Sequence, residues 1–199
     1  MQLIQTPSPN FYSRSGQKSD IVVIHCTDGK FPGDLNWLRN RASQVSAHFI
    51  IAPDGTIHQL VSLKSAAWHS GVISKPKVPL KRYSSGKYIN PNKYTVGIEV
   101  SLLYSDFMSE AQLKSLHWLL KDHLIKELPG FKLDRQHIWG HKDICSYKTC
   151  PGTINVDQLV KDLNVNQNTP PPVEVKEKEI KIIVDDVVIY SYKFNENTR

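Results

Sequence analysis

The sequence predicts an α/β domain, and three observations carry that reading. Ile21-Val22-Val23-Ile24 is a β-branched run that is apolar on both faces, the pattern of a strand buried within a sheet. Tyr94 to Val100 alternates, with Val96, Ile98 and Val100 on one face and Gly97 and Glu99 on the other. Ser109 and Gln112 open a long segment that places Leu113, Leu116, Leu120, His123 and Leu124 on one side, as a capped amphipathic helix does.

The remaining elements follow in chain order. The buried run delivers His25 at its C-terminal end. Asp34 to Gln44 holds Leu35, Trp37, Leu38 and Ala42 at roughly helical spacing, which predicts a short helix. His48 to Ile51, the turn Pro53-Asp54-Gly55-Thr56, and Ile57 to Leu60 read as strand, turn and strand, because Asp-Gly between apolar runs favours a hairpin. Residues 71–94, rich in Lys, Pro, Ser, Tyr and Gly, predict a long loop. Pro129-Gly130 stops the long helix. His137-Ile138-Trp139 is a short strand running into His141. Asn155 and Gln158 cap a last helix that offers Leu159, Val160 and Leu163 to the core.

Three segments are expected along the 199 residues: a main domain over 1–165, a Pro-rich linker over 166–173, and a β-hairpin element over 174–199. The hairpin strands would be Ile180 to Val184 and Val187 to Tyr192 around Asp185-Asp186. Two strands of that length are not stable alone. The hairpin is therefore expected to pack on the main domain, to pair with a second copy in a homo-oligomer, or to belong to a larger unit.

An apolar content of 40% and a charged content of 22% are those of a soluble globular chain. No run approaches the roughly 20 apolar residues of a membrane span, so stable membrane insertion is not expected. Met1 to Ser15 lacks the basic start and apolar core of a secretory signal, which predicts synthesis in the cytoplasm and another exit route for any work outside it. Of the net charge of +6, the stretch from Pro170 to Arg199 contributes five basic against six acidic residues, so the preceding part carries +7. Such a surface suits an anionic partner. Nucleic acid is not the expected one, because no basic–aromatic RNA-binding motif is present.

Chemistry concentrates in Gly140 to Gly152, which gathers His141, Cys145, Lys148 and Cys150 just after a strand. Three cysteines, Cys26, Cys145 and Cys150, cannot all pair within one chain, which favours a thiol as metal ligand or nucleophile. With His25 the chain offers three ligands of the nitrogen and sulfur type that zinc prefers, leaving a fourth position for water. Zinc lowers the pKa of that water to about 7.

The stretches Ile21 to Thr27, Val45 to Ile51, Asp54 to Ile57, Ala67 to Gly71, Val96 to Glu99, Gly140 to Ile144 and Lys148 to Gly152 occur in this order. Together they resemble the zinc amidases that include phage lysozyme-type amidases, bacterial anhydro-muropeptide amidases and peptidoglycan recognition proteins. The resemblance spans residues 21 to about 163. It implies a mixed central sheet flanked by helices, with Zn2+ at the floor of an open groove. His25 and His141 match the first two ligands and Cys150 the third; Cys145 is a competing thiol outside the ligand position. Glu99 matches a catalytic carboxylate, and Lys148 a residue that steadies an oxyanion. His48, Trp68 and His69 match groove residues and are expected to line or support the substrate site. Ala47 stands where some phage relatives carry a tyrosine, which favours the mechanism based on Glu99.

The implied activity is hydrolysis of the amide bond between N-acetylmuramic acid and L-alanine in bacterial peptidoglycan by a zinc-activated water. A non-catalytic wall-binding module and a cysteine peptidase are the competing classes. The Pro-rich stretch and the extra C-terminal segment favour a phage or prophage endolysin over a cytoplasmic recycling enzyme.

Overall fold

All six residues of Ile21–Cys26 are buried, as a run lying in the middle of a covered sheet must be. The chain forms β1 (Leu3–Gln5), β2 (Phe11–Ser13), β3 (Ile21–Cys26), α1 (Gly33–Arg39), a 3-10 turn (Arg41–Ser43), β4 (Phe49–Ile51), β5 (Ile57–Gln59) and β6 (Ser65–Ala67). A second 3-10 turn (Pro91–Lys93), β7 (Thr95–Val100), α2 (Glu110–Trp118), a π turn (Leu119–Leu124) and α3 (Ile125–Glu127) follow. Then come β8 (Ile138–Gly140), α4 (His141–Ile144), α5 (Val156–Asn164), β9 (Glu177–Val184) and β10 (Val187–Asn195). This computed structural model describes Met1, residues 3–165, and the backbone of 177–184 and 187–195. The linker expected over 166–173 lies outside the described residues, as do the side chains of the C-terminal element.

Six strands form one sheet in the order β1-β5-β4-β7-β3-β8. β3 is parallel to both β7 and β8, β4 is parallel to β7, and β5 turns back antiparallel to β4. The sheet is thus mixed and flanked by helices, as expected. The expected hairpin is the β4–β5 pair. In its turn Gly55 adopts a φ of +85°, and a Cβ there would meet the Ala111 carbonyl oxygen at 2.8 Å. β2 and β6 make a separate antiparallel pair that the sequence patterning did not reveal.

The two faces of the sheet differ. Val22, Ile24, Val96, Ile98 and Val100 pack with Leu116, Leu119, Leu120, Leu124, Leu159 and Leu163 from the helices. Each fully buried aliphatic side chain contributes about 1.5–3 kcal/mol, so this layer pins the register of β3 on β7. The long helix begins with a true capping box: Ser109 accepts from the Gln112 N–H at 3.0 Å, and Gln112 accepts from the Ser109 N–H at 3.0 Å. Gln112 Nε2 also donates to the Ser101 carbonyl at 2.9 Å, tying the helix start to the end of β7.

On the other face, an apolar group around Val23, Tyr94 and Trp139 is separate from one around Leu35, Leu38 and Ile50. Strand residues His25, Thr95, Gly97 and Glu99 share this face, because the register pairs Ile21 with Thr95, Val23 with Gly97 and His25 with Glu99. His48 lies beside them, fully buried. The Gly97 N–H donates to His48 Nδ1 at 3.0 Å, while Nε2 lies 3.1 Å from the Ser65 carbonyl and 2.8 Å from Arg14 Nη2. The Arg14 guanidinium stands against the same edge and donates to the carbonyls of Leu63, Asn92, Lys93 and Thr95. Burial, and then the Arg14 charge, hold His48 down at about 3.

The chain divides into two compact units, Met1–Asn164 and Val165–Arg199. Within the second unit β9 and β10 pair antiparallel from Val187 opposite Val184 to Asn195 opposite Glu177, with an irregularity between Val188 and Tyr190.

His48 contributes to the acid limb of the stability curve alongside the other buried histidines. Its pKa is depressed in the folded chain, so the unfolded chain takes up a proton first as pH falls. Stability present above about pH 6.5 is therefore lost progressively toward about pH 3. Denaturant melts between pH 7 and pH 4 should show His48→Asn with a slope shallower by up to about 1.4 kcal/mol per pH unit. An unchanged slope would remove His48 from the acid limb.

Candidate metal centre

Register alone brings the first groups of the site together. His25 and Glu99 are direct partners on the parallel strands β3 and β7. Ile24 is partnered with Gly140 of β8, so the next residues along the two strands, His25 and His141, emerge side by side. Their rings meet edge to face, 4.7 Å between centroids. This is the carboxyl end of parallel strands, where open α/β sheets hold their ligands.

Cys150 arrives on the loop after α4. Its carbonyl accepts from the Lys142 N–H at 3.0 Å, folding the loop back over the strand ends. Cys150 Sγ then lies 3.5 Å from His25 Nδ1. The ligand atoms of His25, His141 and Cys150 all lie within 4.8 Å of one another, and all three residues are buried. Two ligands on one tetrahedral ion, at bonds of about 2.3 and about 2.1 Å, stand roughly as far apart as the Cys150 and His25 atoms do. The donor set therefore fits zinc. Cys145 is also buried but bridges to Ser74 and is not among the cavity-lining residues. Cys26, next along β3, packs on the helix side of the sheet.

The three residues open into a cavity of about 280 Å³, also lined by Trp37, Trp68, His69, Glu99, Tyr104 and Lys148. That volume is at the low end for a ligand cleft. Glu99 Oε1 is 4.0 Å from His25 Nδ1, while Oε2 is buried without a protein partner among the described residues. Burial, and then the Asp34 carboxylate, push Glu99 up to about 8. Asp34 is itself held by Thr27 and Ser101 hydroxyls. Burial, and then the neighbouring His141 and Lys148, hold His25 well below its ordinary range; burial brings His141 down to about 4. The two histidine shifts keep ring lone pairs available, while the Glu99 shift favours a protonated carboxyl until a nearby cation draws the proton off. The Cys150 thiol is pushed up by its hydrogen bond with Cys26 and by burial; a bound divalent cation acts in the opposite direction, deprotonating a coordinating thiol.

Of the expected groove residues, Trp68 is half-buried on the cavity wall, with an Nε1 that has no protein partner among the described residues. His69 lies at the cavity edge, hydrogen-bonded to His25. His48 does not line the cavity. Sequence reasoning missed Asp34, Asn92, Thr95 and Arg14. Asp34 reads as an ordinary helix-start acid, and the other three act through contacts between distant segments, which leave no local signal.

Comparison with known proteins bears on this geometry. The profile of the N-acetylmuramoyl-L-alanine amidase family matches residues 15–153. N-acetylmuramoyl-L-alanine amidase A of Achromobacter lyticus is 32% identical over 93 residues, 46% of this chain and 42% of that protein. The chain thus aligns with less than half the length of this curated relative. Among solved structures, a selenomethionine AmpD derivative superposes with a TM-score of 0.64 at 25% identity, covering 81% of this chain and 94% of that one. The endolysin LysCS from Clostridium intestinale gives 0.57 at 19% identity over 82% and 96% of the two chains. AmiD from E. coli, solved with anhydro-N-acetylmuramic acid-L-Ala-D-gamma-Glu-L-Lys, gives 0.52 at 23% identity over 72% and 55%.

Elemental analysis of the purified chain should find about one zinc per molecule. His25→Ala, His141→Ala and Cys150→Ala should each release it, while Cys145→Ser keeps it. Retention in Cys150→Ala with loss in Cys145→Ser would reassign the thiol ligand.

Proposed function

Because the chain belongs to the N-acetylmuramoyl-L-alanine amidase family, we propose that it hydrolyses the amide bond between N-acetylmuramic acid and L-alanine in peptidoglycan. The observation that carries this reading is the buried His25, His141 and Cys150 group with Glu99 paired beside His25. Zinc held there supplies Lewis acidity, polarising the scissile carbonyl and activating a water at neutral pH.

The chain's own residues do the rest. Glu99 takes one proton from the attacking water and returns it to the leaving alanine nitrogen as the C–N bond breaks. A carboxyl raised toward neutrality is suited to both halves of that transfer. Lys148, exposed at the cavity rim, stabilises the negative charge that develops on the carbonyl oxygen. Trp68 offers part of its indole surface to the substrate at the wall. The narrow cavity admits the bond to be cut while the glycan strand lies outside.

The biological role proposed is that of a phage or prophage endolysin acting on the cell wall after release. The separate C-terminal β9–β10 unit supports this, as an element that recognises the wall or pairs copies of the chain. No helix of the described residues is long and apolar enough to cross a membrane.

Mass spectrometry of digested peptidoglycan should show free muramic acid carboxyls and new alanine amino termini; cleavage of any other bond sinks the amidase reading. Glu99→Gln and Lys148→Ala should each lower kcat by about 10²-fold or more with zinc retained. Their losses should not add, since both act on one intermediate.

A chain ending at Val165 should keep its activity on soluble muropeptides and lose roughly tenfold or more on intact walls, where attachment raises the effective concentration. Equal losses on both substrates with a lower melting temperature would instead make the tail a support for the catalytic domain.

A further inference from the structure

Behind His25 the ring protons have one consistent arrangement, and a main-chain carbonyl dictates it. Thr95 Oγ1 lies 2.8 Å from the Pro91 carbonyl oxygen. Oxygens at that distance share a hydrogen, and a carbonyl can only accept. The Thr95 hydroxyl therefore donates to Pro91, which commits its single proton. The 3.1 Å contact between Thr95 Oγ1 and His69 Nε2 must then take its hydrogen from His69. A neutral imidazole has one N–H, so His69 turns a bare Nδ1 toward His25. His25 Nε2, 3.0 Å away, donates to it. The His25 lone pair is left on Nδ1, the atom that faces Cys150 and Glu99.

We propose that His69 is a positioning residue that holds His25 in the Nε2–H tautomer, so that Nδ1 is committed as the metal-binding atom. This inference rests on the metal reading above. At 8% exposure His69 offers little surface to a substrate, and its two ring nitrogens are engaged by His25 and Thr95.

Two further features serve the same arrangement. A Cβ on Gly97 would stand 2.5 Å from His69 Cγ, so the ring occupies the space that any other residue of β7 would fill. Asn92 Oδ1 accepts the backbone N–H groups of both His69 and Ser70, at 3.2 and 2.8 Å. Ser70 in turn accepts from His141 Nε2 at 3.0 Å through its carbonyl. One short segment, anchored by Asn92, thus orients both ligand histidines from behind.

The test measures zinc affinity by competition with a chelator, and ring tautomers by nitrogen-15 NMR, in the full chain. His69→Leu should weaken zinc binding by about 10–100-fold, the usual effect of removing a group that orients a ligand. His69→Asn, whose amide oxygen can take the place of Nδ1, should recover most of that loss. Thr95→Val should weaken binding in the same direction. Spectra of the metal-free chain should show His25 protonated on Nε2. Unchanged affinity in His69→Leu and Thr95→Val, or a change confined to KM, would return His69 to the substrate site. A His25 protonated on Nδ1 in the metal-free chain overturns the proposal even if His69→Leu fails to fold. A wild-type chain that binds no zinc overturns the metal reading itself.

Discussion

Parallel pairing of Ile21–Cys26 with Thr95–Val100, in the register that sets His25 against Glu99, is the constraint on which the site depends. A slip of two residues would keep every side chain on its face yet carry the carboxylate about 7 Å along the strand, out of reach of His25. The helix-side aliphatic layer prevents that slip. Val22, Ile24, Val96, Ile98 and Val100 pack with the leucines of the long helix, and a shifted register would have to rebuild that close-packed layer. The energy that holds the catalytic face in place thus comes from the opposite face.

That division of labour has a cost on the polar side. His25, His48, His69 and His141 are all buried, and burial depresses the proton affinity of each. Buried polar groups persist only when their hydrogen bonds are met. Here they are met by neighbours: backbone groups of Gly97 and Ser65 for His48, Thr95 for His69, and His69 and the Ser70 carbonyl for the ligands His25 and His141. The same desolvation that costs stability keeps the imidazoles neutral and able to coordinate.

Much of this was legible in the sequence. The apolar run before His25, the alternation around Glu99 and the Ser109–Gln112 box each state a local structure, and local signals survive in a linear string. The ligand group could be read because the motif stretches carry it and zinc narrows the choice of donors. Other parts left no such trace. β2 and β6 are three-residue strands whose pairing is set by what lies across from them. The short helix at His141–Ile144 is too brief to show a period, and Asp143 caps it through Gly140. Nor could the sequence distinguish Thr95 or Asn92 from any polar residue near a strand start. Their roles exist only after distant segments have met.

Gly97 illustrates what transplanting this centre into another scaffold would involve. A glycine inside a strand weakens the sheet, and a designer copying the three ligands and the carboxylate would be inclined to replace it. In this chain the missing side chain makes room for the ring of His69. The minimal portable unit is therefore wider than the ligands: it includes an empty position on the neighbouring strand and the imidazole that fills it. A host sheet lacking that notch would offer the right atoms with nothing to aim them, a site present in composition and loose in geometry.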